Sequence, residues 1–436
     1  MAETVATIDS LAFGGNGVCR VNGKVCFVPF SCPGDEVRLA VTSEKRSYCI
    51  ARIVDLLVPS PFRVSAPCQV FGRCGGCSWQ HIGYDQQLEA KRKILIEALW
   101  RNGRVAAECV RPLLPSPAQY GYRSRVQFKL HGSADRLRIG FYRNNSHQVE
   151  DIGPGCAISQ PIVNSALAVL REVLVSCPDV SAIPQISIDS AEDGVVAIVS
   201  YTGRDASAVA SFFRERRDDL TPLTGIYLQR AHKPLLRLYG DDQLVYRLPG
   251  ASAEAKDCRL AYQPGGFSQV NRHQNRAMLE IVRQMGRFQG TEQVLDLYCG
   301  NGNFSLPIAA EVATVTGIEE YAGSIAAAEA NRSANGIANA DFICADVASG
   351  LKQLAAGGRC FDTVILDPPR SGAADAVPGL RHLNPDRIIY ISCDPSTLAR
   401  DCGLLAGGGY RVLDCFPLDM FPQTYHLESV TLLQKQ

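Results

Sequence analysis

Three kinds of periodicity divide the chain. Up to about residue 58, short alternating apolar and polar runs are separated by glycine turns, as in "ATIDSLAFGGNGVCRVNGKVCFVPFSCPGDEVRLAVTS". Asn22-Gly23 between apolar runs signals a hairpin and "CPGDEV" another turn, and strands at this spacing predict a small β-barrel. The proline-rich "VPSPFR", Val58 to Arg63, marks a boundary. "DQQLEAKRKILIEALWRNG" then sets Leu88, Ile94, Leu95, Ala98 and Leu99 at roughly helical spacing and stops at Gly103. Between residues 120 and 250, strand-like runs ("RSRVQFKL", "VVAIVSY", "GIYLQR") dominate with little helical pattern, so a mostly antiparallel region of α+β type is expected. Beyond about residue 265, strand-like runs ("QVLDLYCG", "TVTGIEE", "ADFICAD", "DTVILDPPR", "RIIYISCDP", "YRVLDCFPLD", "SVTLLQK") alternate with helical stretches. This alternation predicts a doubly wound, mostly parallel sheet. The expected domains are 1–58, 59–265 and 266–436.

Composition narrows the class. At 436 residues with 46% hydrophobic and 20% charged, the chain is globular and long enough for two or three domains. No apolar run reaches membrane-spanning length, and the N-terminus lacks the pattern of a secretory signal, so a cytoplasmic protein without membrane contact is expected. Seventeen scattered cysteines, an odd number, do not make a disulfide framework; most are expected to be reduced filler and a few ligands or nucleophiles. Net charge is zero, but residues 1–150 hold 20 Lys+Arg against 12 Asp+Glu, a mild pointer to a polyanionic partner.

Chemistry gathers in the C-terminal part. "VLDLYCGNGNFSLPIAA" reads as strand, glycine turn and helix. Gly300 and Gly302 let the backbone turn tightly beside a ligand at the helix start, and Asp296 precedes the turn. Glu319 ends the next strand-like run, where an acid can accept hydrogen bonds from both ribose hydroxyls. Asp346 ends the third run and Asp367 the fourth. Two turn glycines and an acid before the turn suit S-adenosylmethionine, whereas dinucleotide sites carry three glycines. Caps on turns and helices are the bland alternative for the four acids.

Cys393 follows the apolar run Ile388 to Ile391, on the strand edge where open α/β sheets bind ligands. A helix starting at Pro395 would favour a thiolate there. Beside a methyl donor, a thiolate can add to C6 of a pyrimidine and make C5 a carbon nucleophile. Releasing the product then needs a base, and Glu428 opens the last strand with His426 nearby. Upstream, Cys68, Cys74 and Cys77 form C-x5-C-x2-C, and Gly75 and Gly76 permit the bend between the last two. A fourth ligand is needed, and Cys156 lies in the turn-rich "DIGPGCAIS". Spacing alone leaves zinc and [4Fe-4S] both open. "YGYRSRVQFKLHG" interleaves Tyr120, Tyr122 and Phe128 with Arg123, Arg125 and Lys129, a pattern able to stack bases and meet phosphates. Phe267 and Arg125 are the expected holders of an extruded base, and Lys45 and Arg46 add basic surface to the barrel.

These motifs together resemble the RNA 5-methyluridine methyltransferases, in the RumA/RlmD-like branch with a TRAM domain and an iron–sulfur cluster. The resemblance rests on "GGNGVCRVNGKVCFVPFSCPGDEV", "CQVFGRCGGCSWQH", "FSQVN", "DLYCGNGNFSLPIA", "DPPRSG", "ISCDPSTLARD" and "FPQTYHLE" and covers essentially the whole chain. It implies a class I Rossmann-like methyltransferase domain, an OB-like TRAM barrel and a central α+β iron–sulfur domain. It further implies Cys393 as nucleophile, Glu428 as proton acceptor, and donor contacts at Gln269, Tyr298, Gly300, Asn303, Glu319, Asp346 and Asp367. Cys156 matches the family's distant cluster ligand, and the resemblance selects [4Fe-4S]. Tyr298 stands where the family often has phenylalanine, and Asp394 where relatives often carry asparagine. The partner implied is RNA, 23S rRNA first and a tRNA T-loop second, acted on by a monomer. Two other readings compete. "DPPR" is similar to the motif of amino-group methyltransferases, although Arg370 replaces their aromatic residue, and a non-catalytic iron–sulfur RNA-binding regulator would have no use for Cys393 and Glu428.

Overall fold

Asn22 and Gly23 adopt φ of 50° and 78°, the left-handed pair that a two-residue hairpin turn requires. In the computed structural model, which describes residues 3–133, 136–252 and 254–436, they join strands Gly17–Val21 and Lys24–Val28. These belong to a six-stranded sheet whose last strand is Tyr48–Val58. Its interior is filled by Cys19, Cys26, Cys49, Val28, Val37 and Leu39. Burial pushes the Cys19 and Cys26 thiols up, so these cysteines are protonated filler.

The middle of the chain forms a seven-stranded sheet in which only Val195–Ser200 and Gly225–Gln229 pair in parallel. The α+β expectation holds, but the scarcity of helices does not. Helix Pro161–Leu174 covers this sheet with Val163, Ala166, Leu167, Leu170, Val173 and Leu174, and Ser207–Glu215 adds a second amphipathic helix. Both show the three- and four-residue apolar spacing of a helix. Tyr122 and Phe128 are also corrected: both are buried. Along Arg125–His131 alternate side chains point to opposite faces, and Val126, Phe128 and Leu130 enter the core. The aromatic residues there are packing, and no base can stack on them.

The C-terminal sheet has strands β1 (Gln293–Leu297), β2 (Thr314–Glu319), β3 (Ala340–Cys344), β4 (Thr363–Leu366), β5 (Arg387–Ser392), β6 (Tyr410–Leu418) and β7 (Glu428–Lys435). Their order is β3-β2-β1-β4-β5-β7-β6, parallel except for β7, which runs antiparallel to β5 and β6. Both faces are covered. Ile388 and Tyr390 of β5 enter one core, and Ile389 and Ile391 the other, which explains the unbroken apolar run. Burying each such side chain contributes ~1.5–3 kcal/mol.

Helix α1 (Tyr84–Ala98) continues into a π-turn at Leu99–Gly103. Ile94, Leu95 and Leu99 pack with Leu398, Ala399 and Cys402 of helix α3 (Pro395–Ala406). Val110 and Leu114 then bridge to Cys415 and Leu418. This stretch of the expected middle region therefore packs on the C-terminal sheet. The hairpin Leu244–Leu248/Cys258–Tyr262, ahead of residue 266, does the same, packing with helix α2 (Arg272–Gly286).

Candidate active site

Parallel strands end on one edge, so β1, β2, β4 and β5 deliver their last residues to a common place. After β1 the chain turns through Tyr298, Gly300 and Gly302, at φ of 62°, 55° and 91°. Tyr298 is a non-glycine residue in the left-handed region, a strain found where a ligand site dictates the backbone. Glu319, at the end of β2, accepts from the Gly300 N–H at 3.3 Å and from the Tyr321 N–H at 2.8 Å. Its carboxylate therefore ties two loops together beside the cleft.

The cleft itself encloses about 1340 Å³. Tyr298, Gly300, Glu319, Gln269 and Phe267 line it, and so do Asp367, Cys393, His426 and Glu428. Phe267 is 69% exposed, with a free ring face at the wall. Other lining residues without an assigned role include Asn301, Tyr321, Arg370 and Thr424. Tyr321 had a legible signal, an aromatic residue two places after the strand-end acid; Thr424 had none.

Three of the expected site residues are not among those lining the cleft. The Asn303 amide exchanges hydrogen bonds with Asn275 and accepts from the Tyr246 hydroxyl; Asn301 lines the cleft, although its amide also accepts from that hydroxyl and donates to Ala261 O. Asp346 caps the helix that follows β3, accepting from the Ser349 N–H at 2.9 Å. Arg125 pairs with the buried Asp189, donates to Ser268 Oγ at 3.0 Å and lies over the Tyr262 ring. That guanidinium braces the "FSQVN" segment from behind, so it is not positioned to hold a base. Asp296 is buried; it accepts from the Ser305 N–H and hydroxyl, and its other oxygen has no partner.

Cys393 and Glu428 meet through strand register. Ser392 of β5 pairs with Ser429 of β7, so the next residue outward on each antiparallel strand, Cys393 and Glu428, face one another across the sheet edge. Asp394 caps α3 by accepting from the Ser396 and Thr397 N–H groups at 2.8 and 3.1 Å. The expected thiolate is not the resting form. Burial pushes the Cys393 thiol up to about 12, the Glu428 and Asp367 carboxyls push the same way, and the Arg370 guanidinium opposes them. Helix-start stabilisation is worth ~0.3–1 kcal/mol, too little to overcome that. Burial likewise raises Asp367 to about 7, helped by Asp296, and holds Glu428 well above the usual carboxylate range, helped by Asp367. His426 is pushed down to about 4 by burial and by Arg370, Lys91 and Arg123, so it is neutral near pH 7. Its ring stacks on Tyr425 at 4.2 Å, and Tyr425 meets Phe13 of the barrel edge-on.

Cys68, Cys74, Cys77 and Cys156 line one separate cavity of about 460 Å³. Gly76 and Arg123 border both this cavity and the cleft. Burial raises Cys74 to about 11 and Cys77 to about 12, and the neighbouring thiols add to both. Cys156 is held by Asn164, whose amide bonds its N–H and carbonyl at 2.9 and 3.1 Å. Among the described residues, no three His, Cys, Asp or Glu side chains converge tightly enough to hold a single metal ion.

Known proteins match this chain along its length. The tRNA (uracil-5-)-methyltransferase family model matches residues 250–436, and the TRAM-domain model of tRNA (uracil(54)-C(5))-methyltransferase matches residues 5–62. The 23S rRNA (uracil(1939)-C(5))-methyltransferase RlmD of Aeromonas salmonicida is 33% identical over 98% of this chain and 96% of its own. The RlmD of Methylococcus capsulatus is 34% identical over 100% and 98%. Among solved structures, the Pyrococcus abyssi tRNA (uracil-54, C5)-methyltransferase in complex with S-adenosyl-L-homocysteine superposes with a TM-score of 0.74 at 26% identity, covering 99% of this chain and 100% of that one. With relatives of this identity along its full length, a doubly wound sheet and an N-terminal TRAM domain, the chain belongs to the RNA uracil-C5 methyltransferases, which move a methyl group from S-adenosylmethionine to C5 of a uridine.

Proposed function

We propose that this enzyme methylates a uridine of 23S rRNA by covalent catalysis, with Cys393 as nucleophile and Glu428 as the base that removes the C5 proton. The observation that carries this is that Cys393, Asp367 and Glu428 share one cleft with Tyr298, Gly300 and Glu319. C5 of uracil is a weak nucleophile until sulfur adds to C6. The S–C6 bond forms, and the C5=C6 electron pair moves through C4 onto its oxygen as an enolate. C5 then bonds to the donor's methyl carbon, the methyl–sulfonium bond breaks, and S-adenosylhomocysteine leaves. C5 now carries both the methyl group and its original hydrogen. Glu428 takes that proton, C5=C6 re-forms, and the Cys393 sulfur is expelled. The thiol must shed its own proton on attack, and the raised proton affinity of Asp367 suits it to receive that proton, which leaves Glu428 ionised for the later step.

The target must leave its stack to reach the cleft, and the exposed Phe267 ring offers it a surface. Donor contacts are proposed at Gln269, Tyr298, Gly300 and Glu319, which line the cleft. The RlmD relatives of Aeromonas salmonicida and Methylococcus capsulatus, at 33% and 34% identity, bear the 23S rRNA name, while the tRNA enzyme stands at 26%; that ordering favours rRNA. A tRNA T-loop uridine is the second reading, supported by the two family models. Mass spectrometry of rRNA and tRNA from a deletion strain separates them by which RNA loses its 5-methyluridine.

The four-cysteine cavity fits an iron–sulfur cluster. Four cysteines on the wall of one cavity are the donor set of a [4Fe-4S] group, and among the described residues no three ligating side chains converge tightly enough for a single zinc ion. When bound, the cluster would fasten the Cys68–Cys77 loop to Cys156. Among the described residues no helix is long and apolar enough to cross a membrane.

Glu428→Gln tests the base. We expect this variant to attack and methylate once and then stall, giving a denaturation-resistant protein–RNA band that carries the labelled methyl group. Turnover should fall ~10²-fold or more. Normal turnover, or a band that survives the added change Cys393→Ala, would remove Glu428 from the role.

A further inference from the structure

The segment Asp419–Gln423 leads from β6 towards Glu428, and each of its five main-chain carbonyls accepts a hydrogen bond from outside the segment. Asp419 O accepts from Gln274 Nε2 at 3.0 Å, and Met420 O from Asn271 Nδ2 at 3.2 Å, both donors on or capping α2. Phe421 O accepts from Lys91 Nζ of α1 at 3.1 Å. Pro422 O accepts from the Tyr122 hydroxyl at 3.0 Å. Gln423 O accepts from the Ser78 and Trp79 N–H groups at 3.1 and 3.0 Å, directly after Cys77. Irregular segments usually give such groups to water.

Two residues of α1 hold this segment by their side chains. Lys91 and Asp419 form a 2.6 Å ion pair in which both side chains are fully buried. Gln87 is also buried; its Nε2 donates to Gln423 Oε1 at 3.0 Å, and its Oε1 accepts from the Gln423 N–H at 3.1 Å. Gln423 needs that grip, because it is a buried non-glycine residue at φ 69°. The other Asp419 oxygen is buried without a hydrogen-bond partner among the described residues. None of these side chains lines the cleft.

We infer that Lys91 and Gln87 are positioning residues for proton removal from C5: strand register sets Glu428 opposite Cys393, and these two residues hold the Asp419–Gln423 segment through which the chain returns to Glu428, so that the carboxyl stays where the register puts it. The inference rests on the reading of Glu428 as the base. A carboxylate displaced by about 1 Å can lose ~10²-fold in rate, and the step it serves is separable from methyl transfer because it comes afterwards.

The test uses K91M/D419L, which removes the pair without stranding a buried charge, and Gln87→Met, which keeps the side-chain length. Each is compared with wild type and Glu428→Gln for thermal midpoint, S-adenosylmethionine affinity and single-turnover kinetics with labelled methyl donor. We expect both to fold, to bind the donor within about threefold of wild type and to transfer the first methyl near the wild-type rate. Release of methylated RNA should slow by ~10- to 10²-fold, so that a labelled covalent band accumulates. Release at the wild-type rate, or equal slowing of transfer and release without a band, would overturn the inference. If Glu428→Gln itself gave no band, the base assignment would fall and the positioning claim with it. A band in Glu428→Gln but in neither α1 variant would sink the positioning claim alone. Gln87→Met leaves the ion pair intact, so the claim can be judged even where K91M/D419L fails to fold.

Discussion

Two sheets of seven strands lie in this molecule, and they handle chemistry in opposite ways. The C-terminal sheet is parallel through β3-β2-β1-β4-β5, so those strands finish on one edge. Glu319, the Tyr298–Gly302 turn and Cys393 gather there without further device, and antiparallel β7 begins at the same edge with Glu428. The middle sheet is mostly antiparallel, and its strand ends alternate between two edges. Its four cysteines come from outside the strands: Cys68, Cys74 and Cys77 from one loop and Cys156 from the turn ahead of helix Pro161–Leu174. Hydrogen-bonded register places the catalytic groups, while loop hydrogen bonds, such as those from Asn164 to Cys156, place the thiols.

The largest effect should come from removing the group that the parallel sheet presents. Cys393→Ala is expected to bind S-adenosylmethionine normally while turnover falls ~10⁴-fold or more, the scale seen when a nucleophile is deleted. Binding is read by calorimetry and transfer with labelled donor; activity near wild type would break the comparison at its stronger end. Next comes the loop-built site. Cys74→Ser or Cys77→Ser should abolish the brown colour and acid-labile sulfide of anaerobically purified protein and leave donor binding in place. Stoichiometric zinc in the wild type, without sulfide, would refute the cluster.

A smaller effect sharpens the electrostatics of the catalytic edge. Glu428 must be ionised to take the C5 proton, and the Asp367 carboxylate holds Glu428's proton affinity up. Release of product should therefore accelerate as pH rises. Asp367→Asn removes a negative neighbour, which favours the ionised form of Glu428, so the rising limb should move to lower pH in single-turnover measurements. A limb that stayed or moved up would show that Asp367 does not act on Glu428. The smallest effect concerns the barrel, where Lys45 and Arg46 are exposed. Lys45→Ala with Arg46→Ala should weaken RNA binding several-fold and flatten its salt dependence, by about 0.7 to 0.9 in logarithmic slope for each phosphate that is no longer neutralised. An unchanged slope would exclude those side chains from the RNA path.

Much of the catalytic half was legible in one dimension because both signals are local. A fully apolar strand followed by a turn announces a buried parallel strand and its functional end, as at Ile388–Cys393. The cysteine spacing is equally local. Helix Pro161–Leu174 was legible too, in its apolar spacing, yet the β-branched residues around it made the region read as strands. The arginine–aromatic interleaving of Arg123 to Lys129 misled for a related reason. Alternation is the signature of any half-buried strand, and its aromatic face went into the core.

The sequence by itself determined the barrel turns, the alternation that builds the doubly wound sheet, and the side chains available for catalysis and ligation, since each follows from neighbours a few residues apart. Only the tertiary structure decided which of them meet. Asn301, and not Asn303, is among the residues lining the cleft; Arg125 is spent on Asp189; and Lys91 reaches 328 positions along the chain to a buried Asp419. The protonation states were decided there as well. The same carboxyl or thiol is an ordinary acid in water and a reluctant one inside a cleft, where desolvation and the neighbouring charges of Asp296, Asp367, Arg370 and Glu428 are set by packing.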